Sequence, residues 1–287
     1  MAEESLEERE ERAQSTTSPA ELEKLAEDEN WLVRWMVAQN TNTPVPILEK
    51  LAEHKDKGVR LRIAYNTNSP LPLLEKLAKD KNKDVRKAVA ENKNTPISLL
   101  EKLSDDESEE VRNGVARHEN TPASMLEKLA EDDEAWVRNG VAERNANTPA
   151  SVLEKLTKDE DVDVRSAVAY NTNTPLSPLE KLLEDESEEV RSCVALNDNT
   201  SVSMLEKLVD DEDLDVRRNV ASNTNTSVPL LEKLAEDEHN YVRENVANNA
   251  NTPASVLEKL AEDEDEDVRK AVTENPNFTS SNGIERS

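Results

Sequence analysis

The sequence has few of the residues from which a thick core or an active site is usually made. Aromatic residues account for 2% of its 287 positions and hydrophobic residues for 35%. That is too little bulk for one large core, but enough for a thin core renewed many times along the chain. Cys193 is the only cysteine, which excludes an internal disulfide and a thiolate metal cluster. The three histidines lie far apart in the chain, and no Ser-His-Asp set or metal-ligand spacing is present. The four glycines belong to turns, helix packing or the C-terminal stretch, so no glycine-rich loop can cradle a phosphate. The expectation is a chain that is not an enzyme, with no catalytic residue, no metal and no cofactor.

Long apolar runs are missing too: nothing approaches the roughly 20 residues of a membrane span. Met1-Ala-Glu-Glu-Ser has neither a basic n-region nor an apolar h-region, and the expectation is a cytoplasmic protein that makes no membrane contact. Positive charge is scarce, with 36 Lys and Arg against 63 Asp and Glu and a net charge of −27. Phosphate backbones should be repelled, so no direct nucleic-acid partner is expected.

What is present is a repeat. Ten copies read roughly Asn-Thr-Pro-x-x-x-Leu-Glu-Lys-Leu-Ala-x-Asp and then x-x-Val-Arg-x-x-Val-Ala-x-Asn, with the Val-Arg pair recurring from Val33 to Val268 every 26 residues, broken once by 27 near Arg144. A period of this length decides the architecture before any single residue does. Thr43 can cap a first helix, Pro44 suits its first position, and Leu48 and Leu51 give it an apolar stripe. A second helix begins near an Asp such as Asp28 and buries Val33, Val37 and Ala38. Its valine content leaves room for partial 3-10 geometry. The position between the valines is mostly small (Ala88, Gly114, Gly140, Ala167, Cys193) and lets neighbouring helices approach; glycine there costs about 1 kcal/mol against alanine. Cys193 therefore reads as a packing residue. Asn40 and its equivalents are expected to end the second helix in the left-handed conformation. Each Arg of the Val-Arg pair has an Asp six residues earlier in nine copies, which predicts an ion pair inside the copy; His54 replaces that Asp once.

These strings resemble those of the leucine-rich repeat variant family, which is similar in style to HEAT repeats, and the resemblance spans about nine tenths of the chain. It implies an all-α fold, a right-handed α-solenoid of about ten 26-residue two-helix repeats. It also implies interaction scaffolding rather than catalysis. The family is known with an N-terminal cysteine-rich iron-sulfur segment; residues 1–14 here are acidic and cysteine-free, so no redox role carries over. The expected organisation is an acidic capping segment at 1–14, a ten-repeat solenoid at 15–276 and a flexible tail at 277–287.

Residues that every copy keeps serve the repeat, so a partner must be read from the departures. Positions two and six after each Val are expected on the open face of the second helix: Trp35 with Gln39, Leu61 with Tyr65, Lys87 with Glu91, Asn113 with Arg117, Ser166 with Tyr170 and so on to Lys270 with Glu274. Trp31, Trp35, Leu61 and Tyr65 gather in the first two copies, and such clustering marks a protein-binding patch. For Trp31, burial under a folded-back N-terminal segment is the competing reading. His54, Lys55, Lys57, Lys79, Lys81, Lys83 and Lys87 form a basic strip able to orient a protein partner or a second copy of the chain. Elsewhere acidic runs such as Asp210–Asp215 line the turns; their spacing is a poor match to a calcium loop. They support a rival reading, a nucleic-acid mimic that occupies the basic groove of a DNA-binding protein. Sequons at Asn199, Asn225 and Asn277 are byproducts of Asn-Thr turns.

Overall fold

The computed structural model describes residues 4–143 and 146–278. The expected insertion near Arg144 and the expected tail beyond residue 278 lie outside those residues. Among the described residues there are twenty-one helices and no strand, and the chain divides into two compact units, 1–149 and 150–287. The first unit holds α1 (Leu6–Ser15), α2 (Pro19–Leu25), α3 (Trp31–Gln39), α4 (Val45–Leu51), α5 (Lys57–Tyr65), α6 (Leu71–Leu77), α7 (Lys83–Glu91), α8 (Ile97–Leu103), α9 (Glu109–Arg117), α10 (Ala123–Leu129) and α11 (Ala135–Glu143). The second holds α12 (Ala150–Leu156), α13 (Val162–Tyr170), α14 (Leu176–Leu182), α15 (Glu188–Leu196), α16 (Val202–Leu208), α17 (Leu214–Ser222), α18 (Val228–Leu234), α19 (Asn240–Asn248), α20 (Ala254–Leu260) and α21 (Glu266–Glu274). Each unit is an all-α solenoid of repeats. Every second helix is α-helical along its nine residues, with no 3-10 stretch among the described residues.

Seven residues make a first helix because three of them, such as Ile47, Leu48 and Leu51, bury one side while Glu49 and Lys50 stay in water. That is too short to stand alone; packing holds it. The second helices buy no stability alone either, and each lies against the second helix of the next copy, α3 on α5 and α5 on α7 in one unit, α13 on α15 and α15 on α17 in the other. Val33, Val37 and Ala38 are fully buried in that stack.

Side-chain amides seal the turns. Asn66 Nδ2 donates to the carbonyls of Ala38 (2.8 Å) and Asn40 (3.0 Å) in the preceding copy, while its Oδ1 accepts the Asn68 N–H at 2.8 Å. Asn92, Asn197, Asn223, Asn249 and Asn275 repeat the pattern. These asparagines are extended, with Asn40 at φ −64 and ψ 120, and no described residue has positive φ. The left-handed expectation is thus corrected: asparagine is needed for its amide. His118 substitutes by geometry, its Nε2–H donating to Asn92 O at 3.0 Å and its Nδ1 accepting the Asn120 N–H at 3.1 Å. Thr43 is also corrected. Its hydroxyl donates back to Val37 O at 2.6 Å, closing the helix before it, and Pro44 is the N-cap of α4 rather than its first residue.

The arginine partners differ from expectation as well. Arg60 Nε donates to Asp80 Oδ2 at 2.6 Å and its second terminal nitrogen to Asp80 Oδ1 at 3.0 Å, while the first bonds His54 O at 2.8 Å. Asp80 belongs to the next copy, so the bidentate pair clips copy to copy. Arg86–Asp106 and Arg112–Asp132 repeat it in the first unit, as do Arg165–Asp185, Arg191–Asp211, Arg217–Asp237 and Arg243–Asp263 in the second.

The N-terminal helix follows the same rules. Arg9 Nε donates to Asp28 Oδ2 at 2.8 Å, Ala13 is fully buried, and Asn40 Nδ2 donates to Ala13 O at 3.0 Å. Residues 6–15 therefore form a degenerate second helix, Arg9 and Ala13 standing in the register of Arg34 and Ala38.

Candidate functional site

The surface left over by these ladders is where a partner can be met. α3 presents Trp31 and Trp35 four residues apart, one turn along the same side. Trp31 is 54% exposed, so α1 does not cover it and the competing reading of a buried Trp31 does not hold. α1 packs on α3 instead, with Ala13 buried, and the Arg9–Asp28 pair ties it to the turn before α3. Trp35 is half-buried, and the Arg62 guanidinium from α5 lies 4.2 Å from the centre of its ring. Gly58 sits beside it: a β-carbon there would stand 3.8 Å from Trp35 Cδ1 and 3.3 Å from Asp56 Oδ1.

Leu61 is half-buried next to Arg62, and Tyr65 closes α5 with 38% of its surface exposed. The Tyr65 hydroxyl donates to Glu91 on α7; burial raises its pKa, and the bond to Glu91 adds to the rise. Trp31, Trp35, Leu61 and Tyr65 thus stand on two adjoining helices.

The basic strip is less open than its composition suggests. Lys57 reaches Asp84 at 2.8 Å, Lys83 reaches Glu110, and Lys87 is 3.5 Å from Glu91. Lys55 and Lys81 are exposed and have no ion pair among the described residues. Lys81 and Lys83 edge an open depression of about 610 Å³ whose other wall is acidic, with Glu109, Glu110 and Glu134. Burial and a hydrogen bond to Glu134 raise the Glu109 pKa.

The row two residues after each Val departs from expectation at some copies only. Asn113 and Ser166, in the crevice between neighbouring second helices, are 3% and 7% exposed, whereas Trp35 and Leu61 are half-buried and Arg218 and Lys270 are exposed. Asn113 Nδ2 donates to Trp136 O at 2.7 Å in that crevice. The row six residues after Val is the more uniformly open one, with Tyr170 and Leu196 about half exposed in the second unit.

Two features escaped the sequence reading. Arg62 occupies the column between the valines that is otherwise mostly small, a departure visible in the string itself. The first residues of α6, α8, α14, α16 and α18, which are Leu71, Ile97, Leu176, Val202 and Val228, are exposed apolar side chains. Their position just after the Pro or Ser could have drawn attention to them. Among the described residues no group of three His, Cys, Asp or Glu is placed to hold a metal ion, and no helix is long and apolar enough to cross a membrane. The sequon amides of Asn199 and Asn225 are committed to carbonyls of the preceding copy, Asn199 to Thr172 O at 2.7 Å and Asn225 to Asp198 O at 2.7 Å.

The two ladders and the stacked second helices define the class: an α-helical repeat solenoid. Among solved structures, a leucine-rich repeat variant described as having a novel repetitive protein structural motif is 28% identical, covers 71% of this chain and 80% of its own, and superposes with a TM-score of 0.53. The resemblance carried by the repeated strings therefore holds in three dimensions. The YibA protein of E. coli is 18% identical over 95% of this chain and 97% of its own, with a TM-score of 0.39. A chain from the complex of Kap95p with RanGDP is 12% identical over 95% of this chain and 46% of its own, with a TM-score of 0.36. No protein-family model matches the sequence. No curated protein matches it.

Proposed function

We propose that the chain is a non-catalytic protein-binding scaffold whose partner docks on the second helices of the first copies, at Trp31, Trp35, Leu61 and Tyr65, with Lys55 and Lys81 steering its approach. One observation carries this reading: Trp31 stays 54% exposed although a helix packs on its own element. A large indole left in water at the array's N-terminal end has no role in the ladders, and tryptophan is the residue most enriched at binding hot spots. The conserved Arg, Asp, Asn and Thr are already committed to neighbouring copies, which leaves recognition to the departures.

The test is capture of partners by the intact chain beside its Trp31→Ala form, with circular dichroism as the folding control. The scaffold reading expects capture to fall at least about tenfold while the helical signal is unchanged. Unchanged capture would remove the patch from the function.

The rival reading, an acidic mimic of nucleic acid, draws on the second unit. Glu186, Glu238 and Glu264 stand out from the Arg–Asp pairs with side chains 81–91% exposed. A mimic, bound through many charges, would lose affinity far more steeply as salt rises than a face built on an indole and a few charges.

A further inference from the structure

Arg62 is the one arginine among the described residues that makes neither a hydrogen bond nor an ion pair; its Nε is buried without a partner. This is unexpected in a chain that carries 63 carboxylates. The carboxylates on the adjoining helix are engaged elsewhere: Asp84 accepts from Lys57, and Glu91 from Tyr65 and Lys87. The equivalent positions in the flanking copies, Met36 and Ala88, offer no acceptor. What holds the guanidinium is the face of Trp35 at 4.2 Å, an arrangement that pre-orients a planar donor fork without using its donors. The setting favours an anion. Between residues 53 and 93 the chain has eleven Lys and Arg against six Asp and Glu, the reverse of its overall balance.

We infer that this face receives an acidic peptide segment of a protein partner, with an Asp or Glu carboxylate on Arg62 and a neighbouring bulky apolar side chain against Trp31 and Leu61. The inference rests on the reading of the second-helix face as the binding face and adds the chemistry that the face selects. Apolar contact comes from the indole and leucine, and selectivity comes from an arginine that has been kept unpaired for the purpose.

The experiment uses the full chain and two short fluorescein-labelled peptides, one alternating Asp and Glu with Leu and Phe, the other its twin with Asn and Gln in place of the acids. Fluorescence polarisation should show the acidic peptide binding about tenfold more tightly than its twin, the scale of one charge-assisted fork. Arg62→Gln should bring the two affinities together by weakening the acidic peptide alone. Arg62→Lys, which keeps the charge and loses the fork, should retain part of the preference, and circular dichroism checks that both variants fold. Equal binding of the twins, or a preference that survives Arg62→Gln, overturns the inference; loss of both peptides in Trp31→Ala would then still support the binding face. Binding of neither peptide also overturns it. If partner capture is in addition indifferent to Trp31→Ala, the proposed function falls with it.

Discussion

Arg34 shows what one residue does to the ladder. In every complete clip the guanidinium meets an Asp twenty residues later, but the residue twenty after Arg34 is His54, and Arg34 Nε is buried with no partner. His54 keeps half of the aspartate's work, since its Nδ1 accepts the Asp56 N–H at 3.1 Å much as Asp80 Oδ1 accepts that of Asn82 at 2.9 Å. It offers Arg34 no carboxylate. His54→Asp should therefore complete the clip between the first two copies and stabilise that junction by about 1–2 kcal/mol, the worth of a charge-assisted bond that also satisfies a buried donor. Urea unfolding of the two forms would check it. A shift toward lower stability would mean that the His54 ring packs better than the missing pair bonds.

At the scale of the element, the connection between copies is made by amides. Removing the Asn92 side chain leaves the carbonyls of Ala64 and Asn66 without the donor that reaches them at 2.6 and 3.2 Å. Asn92→Ala should cost about 2–3 kcal/mol, because the Ala64 carbonyl is buried and the Asn94 N–H loses its acceptor as well, while the Asn66 carbonyl keeps the Ser69 N–H. Asn92→His should cost less than half of that, since His118 already bridges the same turn one copy on. Equal losses in the two variants, read from denaturant curves, would contradict the amide's role.

This element also shows where reading the sequence succeeds and where it stops. Leu48 with Leu51 and Val33 with Val37 are local signals, and both helices of the copy follow from their spacing. The partners of Arg and Asn are not local. Asp80 lies six residues before Arg86 and twenty after Arg60, and a strict period makes the two spacings equally regular. Only packing distinguishes them. The candidate site divides the same way: the Trp31, Trp35, Leu61 and Tyr65 cluster could be read in the string, whereas the lysine pairs and the seat of Arg62 on Trp35 depend on which helices stack.

Across the whole molecule, the clips set the response to acid. At Asp263 the bond from Arg243 outweighs burial and holds the carboxyl below the ordinary carboxylate range. At Asp80, Asp132, Asp211 and Asp237 burial pushes upward and is the largest single influence, but the arginine and backbone N–H bonds together still bring the pKa down. A carboxyl that is more acidic folded than unfolded stabilises the fold fully above its unfolded pKa, near 4, and loses that contribution as pH falls through the folded value. His54 works in a higher window. Burial, with Arg34 next, lowers its pKa, so the unfolded chain takes up its proton first and the first junction weakens as pH drops below about 6.5. Protonating the 63 acids opposes both losses at first by relieving the repulsion of a net charge of −27. The thermal midpoint should therefore change little from about pH 7 to about pH 5 and fall steeply below about pH 4. Hydrogen exchange should detect early opening only around α3 and α5, and His54→Asp should abolish it. A midpoint that declined steadily from neutral pH throughout the chain would show that the buried Arg–Asp pairs do not govern the transition.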